Sequence, residues 1–225
     1  MNPKKVIIIG AGLAGSEAAF YLANKGIEVK LVEMKKLKRT PAQKTDLFAE
    51  LVCSNSLKSK LLSNACGLLK EEMRLLGSLV ISAAKESEVP SGQALSVNRE
   101  RFSEIITEKL KTHPLIHIVD QEFENIPENQ YCIIATGPLT SEHLTKSILK
   151  LTNQEKLYFY DAISPIVDAT SIDFDQAFFA SRYEDTIENA DYLNLPLYHD
   201  LYNLFVVSLL QAEYVPLAKF EEPKY

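Results

Sequence analysis

The sequence predicts an α/β fold, with a parallel sheet in residues 1–150 and the start of a smaller, aromatic-rich α+β domain in residues 151–225. Three observations carry this. The β-branched apolar run Lys5–Ile9 enters a glycine-rich turn and then a helical pattern, as a buried parallel strand does. A second strand pattern, Glu28–Glu33, completes a β-α-β unit within about thirty residues. Past about residue 150 the β-α alternation stops and aromatics gather at Tyr158, Phe159, Tyr160, Phe174, Phe178, Phe179 and Tyr183.

The elements follow from spacing and punctuation. Leu13, Ala18, Tyr21 and Leu22 recur at helical intervals, and Gly26 supplies the stop. Residues 34–63 lack a sustained period and read as a long loop with short helical pieces, the kind of loop that is usually functional or mobile. Cys66–Leu76 carries a 3.6-residue period ended by Gly77. Pro90-Ser91-Gly92 marks a turn, Ala94–Val97 a short strand, and Asn98 an N-cap for a helix over Arg99–Lys111. Leu115–Val119 and Tyr131–Ala135 read as further strands, the second a buried one, and Leu197–Gln211 as a helix.

Composition excludes several classes. With 225 residues, 46% hydrophobic and 24% charged, the chain is neither disordered nor collagenous, and it is long enough to bury a sizeable core. Cys53, Cys66 and Cys132 are odd in number and lack C-x-x-C spacing, which argues against a disulfide framework or a zinc site and for a reducing, cytoplasmic setting. The four histidines form no ligand pattern, so no metal is expected. The apolar run at the start stops at Gly10, too short for a signal peptide or a membrane span of about 20 residues.

Net charge is −6, yet residues 30–60 hold eight Lys and Arg against three acids. A polyanion would be steered to that segment and away from the acidic remainder.

Gly10-Ala11-Gly12-Leu13-Ala14-Gly15 is G-x-G-x-x-G set between a strand and a helix, with an acid, Glu33, ending the next strand. The glycines permit a tight turn, close approach of backbone to a pyrophosphate at a helix N-terminus, and helix-on-sheet packing; Glu33 can accept from a ribose diol. This predicts a Rossmann-like dinucleotide site, and the acid disfavours a 2′-phosphate there. The loop does not separate FAD from NAD, because both carry adenosine diphosphate. Ala135-Thr136-Gly137 resembles the A-T-G segment that FAD enzymes of the glutathione-reductase type place beside their first glycine loop, which favours FAD.

Cys53 lies in the lysine-rich stretch, where nearby cations favour thiolate. It is the candidate catalytic residue. Cys66 and Cys132 read as structural thiols, and Asp161 and Asp168 as caps or turns.

Val6–Ala19, Ala49–Leu57, Val97–Phe102, Phe159–Ala169 and Ala180–Tyr183 together resemble the folate- and FAD-dependent tRNA (uracil-5-)-methyltransferases, the Gid or TrmFO family. The resemblance runs over essentially the whole chain. It implies an FAD enzyme that takes a one-carbon unit from 5,10-methylenetetrahydrofolate, uses NAD(P)H as reductant, and forms 5-methyluridine in the tRNA T-loop. It also implies two cysteines, one matching Cys53 and one in a later Gly-Cys segment, either of which could be the attacking thiolate. The chain reads as an N-terminal half that stops just before that segment. Open alternatives are the same methylation on a ribosomal RNA uridine, a plain NAD(P)H-dependent flavin oxidoreductase, and an inactive remnant.

Overall fold

The structure is a computed structural model, and it describes residues 5–40, 42–154, 168–180 and 192–213. The chain divides into two compact units: residues 1–89 with 93–163, and residues 90–92 with 164–225. Most of the Phe159–Ala169 and Ala180–Tyr183 segments, with Asp161, lie outside the described residues.

In the first unit the order is β1 (Lys5–Ile9), α1 (Leu13–Asn24), β2 (Glu28–Glu33), β3 (Ser56–Ser59), α2 (Ala65–Leu75), α3 (Leu79–Glu86), β4 (Glu88–Val89), β5 (Ala94–Val97), α4 (Arg99–Thr112), β6 (Ile116–Asp120), β7 (Tyr131–Ile134) and α5 (Glu142–Thr152). Its main sheet is parallel, ordered β6-β2-β1-β7, with Ile9 level with Val32 on one side and Ile134 on the other. Successive side chains of a strand point to opposite faces, so β1 feeds two cores. Val6 and Ile8 join Val29 and Leu31 against Ala19 and Ala23 of α1 and Phe102, Ile106 and Leu110 of α4. Ile7 and Ile9 join Val32 against Leu144 of α5. A strand covered on both faces must be apolar at every position, which is why Val6–Ile9 reads as an unbroken run. A smaller antiparallel sheet is ordered β3-β5-β4.

The second unit holds an antiparallel pair, β8 (Phe178–Ala180) and β9 (Tyr192–Asn194), and the helix α6 (His199–Gln211). Asp168 caps a short 3-10 turn by accepting from the Thr170 N–H at 2.9 Å, which holds its carboxyl below the usual range. No helix among the described residues is long and apolar enough to cross a membrane.

Two expectations are corrected, and two helices are added. Residues 34–63 contain β3 and no helix among the described residues, and tertiary bonds fix them: Phe48 N–H donates to Thr107 Oγ1 at 2.7 Å and Ala49 N–H to the Ala11 carbonyl at 2.8 Å. β7 is not a buried strand. Among the described residues it forms one edge of the sheet, where Ile133 and Ile134 are each 37% exposed. α3 and α5 were not expected at all.

The start of α3 is held by a residue far away in sequence. Glu17, on α1, accepts from Ser78 Oγ at 2.9 Å, Leu79 N–H at 3.2 Å and Val80 N–H at 2.8 Å. A carboxylate there satisfies orphan amides and complements the positive helix end. Glu17→Ala should cost about 2 kcal/mol and Glu17→Gln about half of that. Urea unfolding checks it; a Glu17→Ala midpoint equal to wild type removes the cap from the account of α1–α3 packing.

Candidate functional site

A cleft of about 540 Å³ opens at the C-terminal ends of β1, β2 and β7. Its position follows from topology. The chain passes from β1 through α1 to β2 on one side, while β7 pairs with β1 on the other, so the sheet diverges at β1 and leaves a crevice. Two bonds close the strand ends around it: Gly10 N–H to the Val32 carbonyl and Ala135 N–H to the Ile9 carbonyl, both 2.8 Å. The volume falls within the roughly 300–1,000 Å³ of small-molecule sites.

The glycine loop forms one wall. Gly10 has φ +94°, and a Cβ there would stand 2.8 Å from the Ala135 carbonyl oxygen. At Gly12 an added Cβ would meet only that same oxygen, at 4.0 Å, so the absent side chain leaves open space in the cleft. Gly12 is the N-cap of α1, no side chain caps it, and no acid stands in the first turn. The first-turn amides and the positive helix end are therefore available to an anion, as a pyrophosphate requires. This open cradle fits an adenosine diphosphate ligand.

Glu33 completes the wall at the end of β2. It is 8% exposed and borders the cleft, accepting from Ala11 N–H at 2.7 Å and Lys35 N–H at 2.9 Å. A carboxylate has about four lone-pair sites, so two remain for ribose hydroxyls.

Opposite runs the segment that carries Cys53. Lys35, 3% exposed, donates from Nζ to the Leu47 carbonyl and pairs with Glu50 at 3.2 Å. Glu50 also accepts from the Lys44 and Thr45 amides at 2.8 and 3.1 Å. Ala49 has φ +50°, a strained value for a residue with a Cβ, and is held by its bond to the Ala11 carbonyl and by Ser103 Oγ donating to its own carbonyl at 3.4 Å. The glycine loop, the Lys35–Glu50 pair and α4 thus fix the chain leading to Cys53, whose half-buried side chain borders the cleft. Cys132 packs beside Ile7, Ile9 and Val32, and burial pushes its thiol up. Cys66 lies in the first turn of α2.

Gly10, Gly12, Leu13, Ala14, Glu33, Cys53, Ala135, Thr136 and Gly137 all border this one cleft. Ala11 and Gly15 do not. Ala11 is buried with its N–H given to Glu33, and Gly15 is where α1 meets Gly10. Gln43, Glu50, Gln121, Phe123 and Ser141 also border it and were not expected from sequence. Gln121 follows β6 directly, so the rule that ligands sit beyond strand C-termini could have found it.

The basic segment is less exposed as charge than its composition suggests. Lys35, Lys36, Lys38, Arg39 and Lys60 pair with Glu50, Asp120, Glu122, Asp46 and Glu88 respectively. Glu122, Glu124 and His143 bring ligand atoms within 4.8 Å of one another, but Lys38 already binds Glu122 through both oxygens, at 3.0 and 3.2 Å, and holds its carboxyl below the usual range.

The family model for glucose inhibited division protein A matches residues 5–225. Methylenetetrahydrofolate–tRNA-(uracil-5-)-methyltransferase TrmFO of Staphylococcus haemolyticus is 52% identical over 220 residues, covering 98% of this chain and 50% of that protein. The protein of the same name from Enterococcus faecalis is 53% identical over 222 residues, covering 99% and 50%. The chain spans about half the length of the curated relatives it matches. Among solved structures, Aquifex aeolicus GidA aligns with 60% of this chain and 25% of its own, at 18% identity and a TM-score of 0.48. With its family model matched over nearly its full length, the chain belongs to the glucose inhibited division protein A family.

Proposed function

We propose that this chain is the FAD-binding, Cys53-bearing part of a cytoplasmic methylenetetrahydrofolate-dependent tRNA (uracil-5-)-methyltransferase. One observation carries it: the glycine loop, Glu33 and Ala135–Gly137 share their cleft with Cys53. The relatives that are about half identical bear the name of that reaction.

The chain's residues divide the work. The α1 N-terminus and Gly12 take the pyrophosphate, and Glu33 accepts from the adenosine ribose. Bound flavin supplies the hydride that turns a transferred methylene into methyl, with NAD(P)H as the source of electrons. Uracil C5 is a poor nucleophile until a thiolate adds at C6, and Cys53 is the thiol this chain holds in the cleft that would take the flavin nucleotide. The loop bonds from Lys35 through Ala49 keep that thiol facing the cleft.

The purified 225-residue chain is expected to carry about one FAD, released intact on denaturation. FAD restored to the flavin-stripped chain should slow alkylation of Cys53 at least about tenfold while leaving Cys66 unchanged, as peptide mapping would report. Cys53→Ser should keep its flavin. A folded chain that binds no FAD, or a Cys53 that reacts alike with and without it, overturns the proposal.

A further inference from the structure

A second groove, of about 320 Å³, shares no lining residue with the flavin cleft. It is bordered by Lys60, Lys70 and Lys85 and by two acids, Glu71 and Glu88. Both acids are already matched: Glu88 holds Lys60 at 2.9 Å, and Glu71 holds Arg74 through Nε at 2.7 Å and through a second guanidinium nitrogen. Lys58, Lys70 and Lys85 have no carboxylate within 4 Å among the described residues. This contrasts with the loop over 34–40, where Lys35, Lys36, Lys38 and Arg39 each have an acid.

Lys70 is placed by the backbone. A Cβ at Gly67 would stand 1.9 Å from the Leu61 carbonyl oxygen, so only glycine lets α2 lie against the end of the β3 segment. One turn on, Lys70 donates from Nζ to the Cys66 carbonyl at 2.8 Å, which fixes its ammonium beside the groove. Burial pushes its pKa down against an opposing pull from Cys66, and the charge of Lys58 pushes it the same way as burial. Lys58 and Lys70 repel one another, and an oxyanion bound beside them would relieve the repulsion.

We propose that this groove is a docking site for the phosphate backbone of RNA, with Lys70 and Lys85 in its lining and Lys58, on the neighbouring β3 and outside the lining, as ammonium donors. The proposal rests on the RNA-modifying function above for the identity of the polyanion. Flexible ammonium groups without a neighbouring aromatic suit phosphate rather than base recognition, so the contact positions RNA and does not read its sequence. It also supplies a point of attraction on a chain whose net charge of −6 repels nucleic acid elsewhere.

The test is binding of an unmodified tRNA transcript to the 225-residue chain by fluorescence anisotropy across about 50–200 mM salt. Each lysine changed to Gln should flatten the slope of log affinity against log salt by about 0.7–0.9. The triple variant Lys58→Gln, Lys70→Gln, Lys85→Gln should bind at least tenfold more weakly, by the same counterion argument. Lys36→Gln with Lys38→Gln, whose partners are Asp120 and Glu122, should change little. Of the five positions all but Lys70 are exposed, and circular dichroism checks that each variant is folded. A triple variant that binds like wild type overturns the groove, as does a wild-type chain that binds no transcript at low salt. Equal displacement by polyglutamate at matched charge would assign the groove to an acidic polypeptide and likewise overturn it. Flavin content of each preparation separates the two proposals: intact flavin with an unaffected triple variant removes only the groove, and missing flavin with a flattened slope removes only the flavin reading.

Discussion

Lys35→Met is expected to destabilise the first unit by about 3–5 kcal/mol, among the largest effects of any single change in this chain. The reason is Glu50 rather than Lys35. With the ammonium gone, a carboxylate whose side chain is 13% exposed is left without its counter-charge, and the Leu47 carbonyl loses its donor. The cost reaches the core because the same loop carries Phe48, Ala49 and Leu51, all buried. Pairing Lys35→Met with Glu50→Gln should recover more than half of the loss, since the amide oxygen can still accept from the Lys44 and Thr45 amides and no charge remains buried. Urea unfolding measures both. Alkylation of Cys53 in the flavin-free chain should rise in the single variant and fall back in the double, because the loop is released and then re-seated. Equal unfolding midpoints for wild type and Lys35→Met would mean that water or movement already screens this pair.

How much of this was readable beforehand depended on whether the cause was local. β1, β2, β5 and the cap at Asn98 were legible because each is set by its own residues: a β-branched run, an alternation, and a side chain whose oxygen accepts from Arg101 N–H at 3.0 Å. α3 was not. Leu79, Val80, Ile81, Ala83 and Ala84 are all buried, and in eight residues only Ser82, Lys85 and Glu86 mark an exposed face, too short a stretch to establish a period, while one of its caps, Glu17, comes from another helix. β7 carries the apolar composition of a central strand yet occupies an edge, and composition does not state sheet order. The pairing within the basic segment was hidden for the same reason. Its cations find Glu88, Asp120 and Glu122, acids that a local charge count leaves out. The glycine loop and Glu33 were legible from spacing. That Cys53 borders the same cleft was not, because the bond from Ala49 to Ala11 that brings the two segments together is tertiary.

Gly12→Ala and Gly15→Ala should separate what the glycine loop does for the fold from what it does for the ligand. At Gly15 a Cβ would lie 1.8 Å from the Gly10 carbonyl oxygen and 3.3 Å from the Ala135 Cβ. Gly10 cannot retreat: its φ of +94° suits only glycine, and it lies between Gly15 and the Ala135 carbonyl. The clash is backbone against side chain on both flanks, so α1 must lift from the sheet. Overpacking commonly costs about 1–3 kcal/mol, and a contact this short belongs at or above the upper end. The better helix propensity of Ala returns only about 1 kcal/mol. Gly15→Ala should therefore lower the unfolding midpoint and lose flavin together. Gly12→Ala differs, because Gly12 has φ −73° and its Cβ would meet nothing nearer than 4.0 Å. That chain should unfold within about 0.5 kcal/mol of wild type. Its methyl would stand where a pyrophosphate must approach, and flavin affinity should fall at least about a hundredfold, which is about 2.7 kcal/mol of binding. A Gly12→Ala chain that keeps wild-type flavin would place the cofactor away from the loop; a Gly15→Ala chain of wild-type stability would show that α1 shifts without cost.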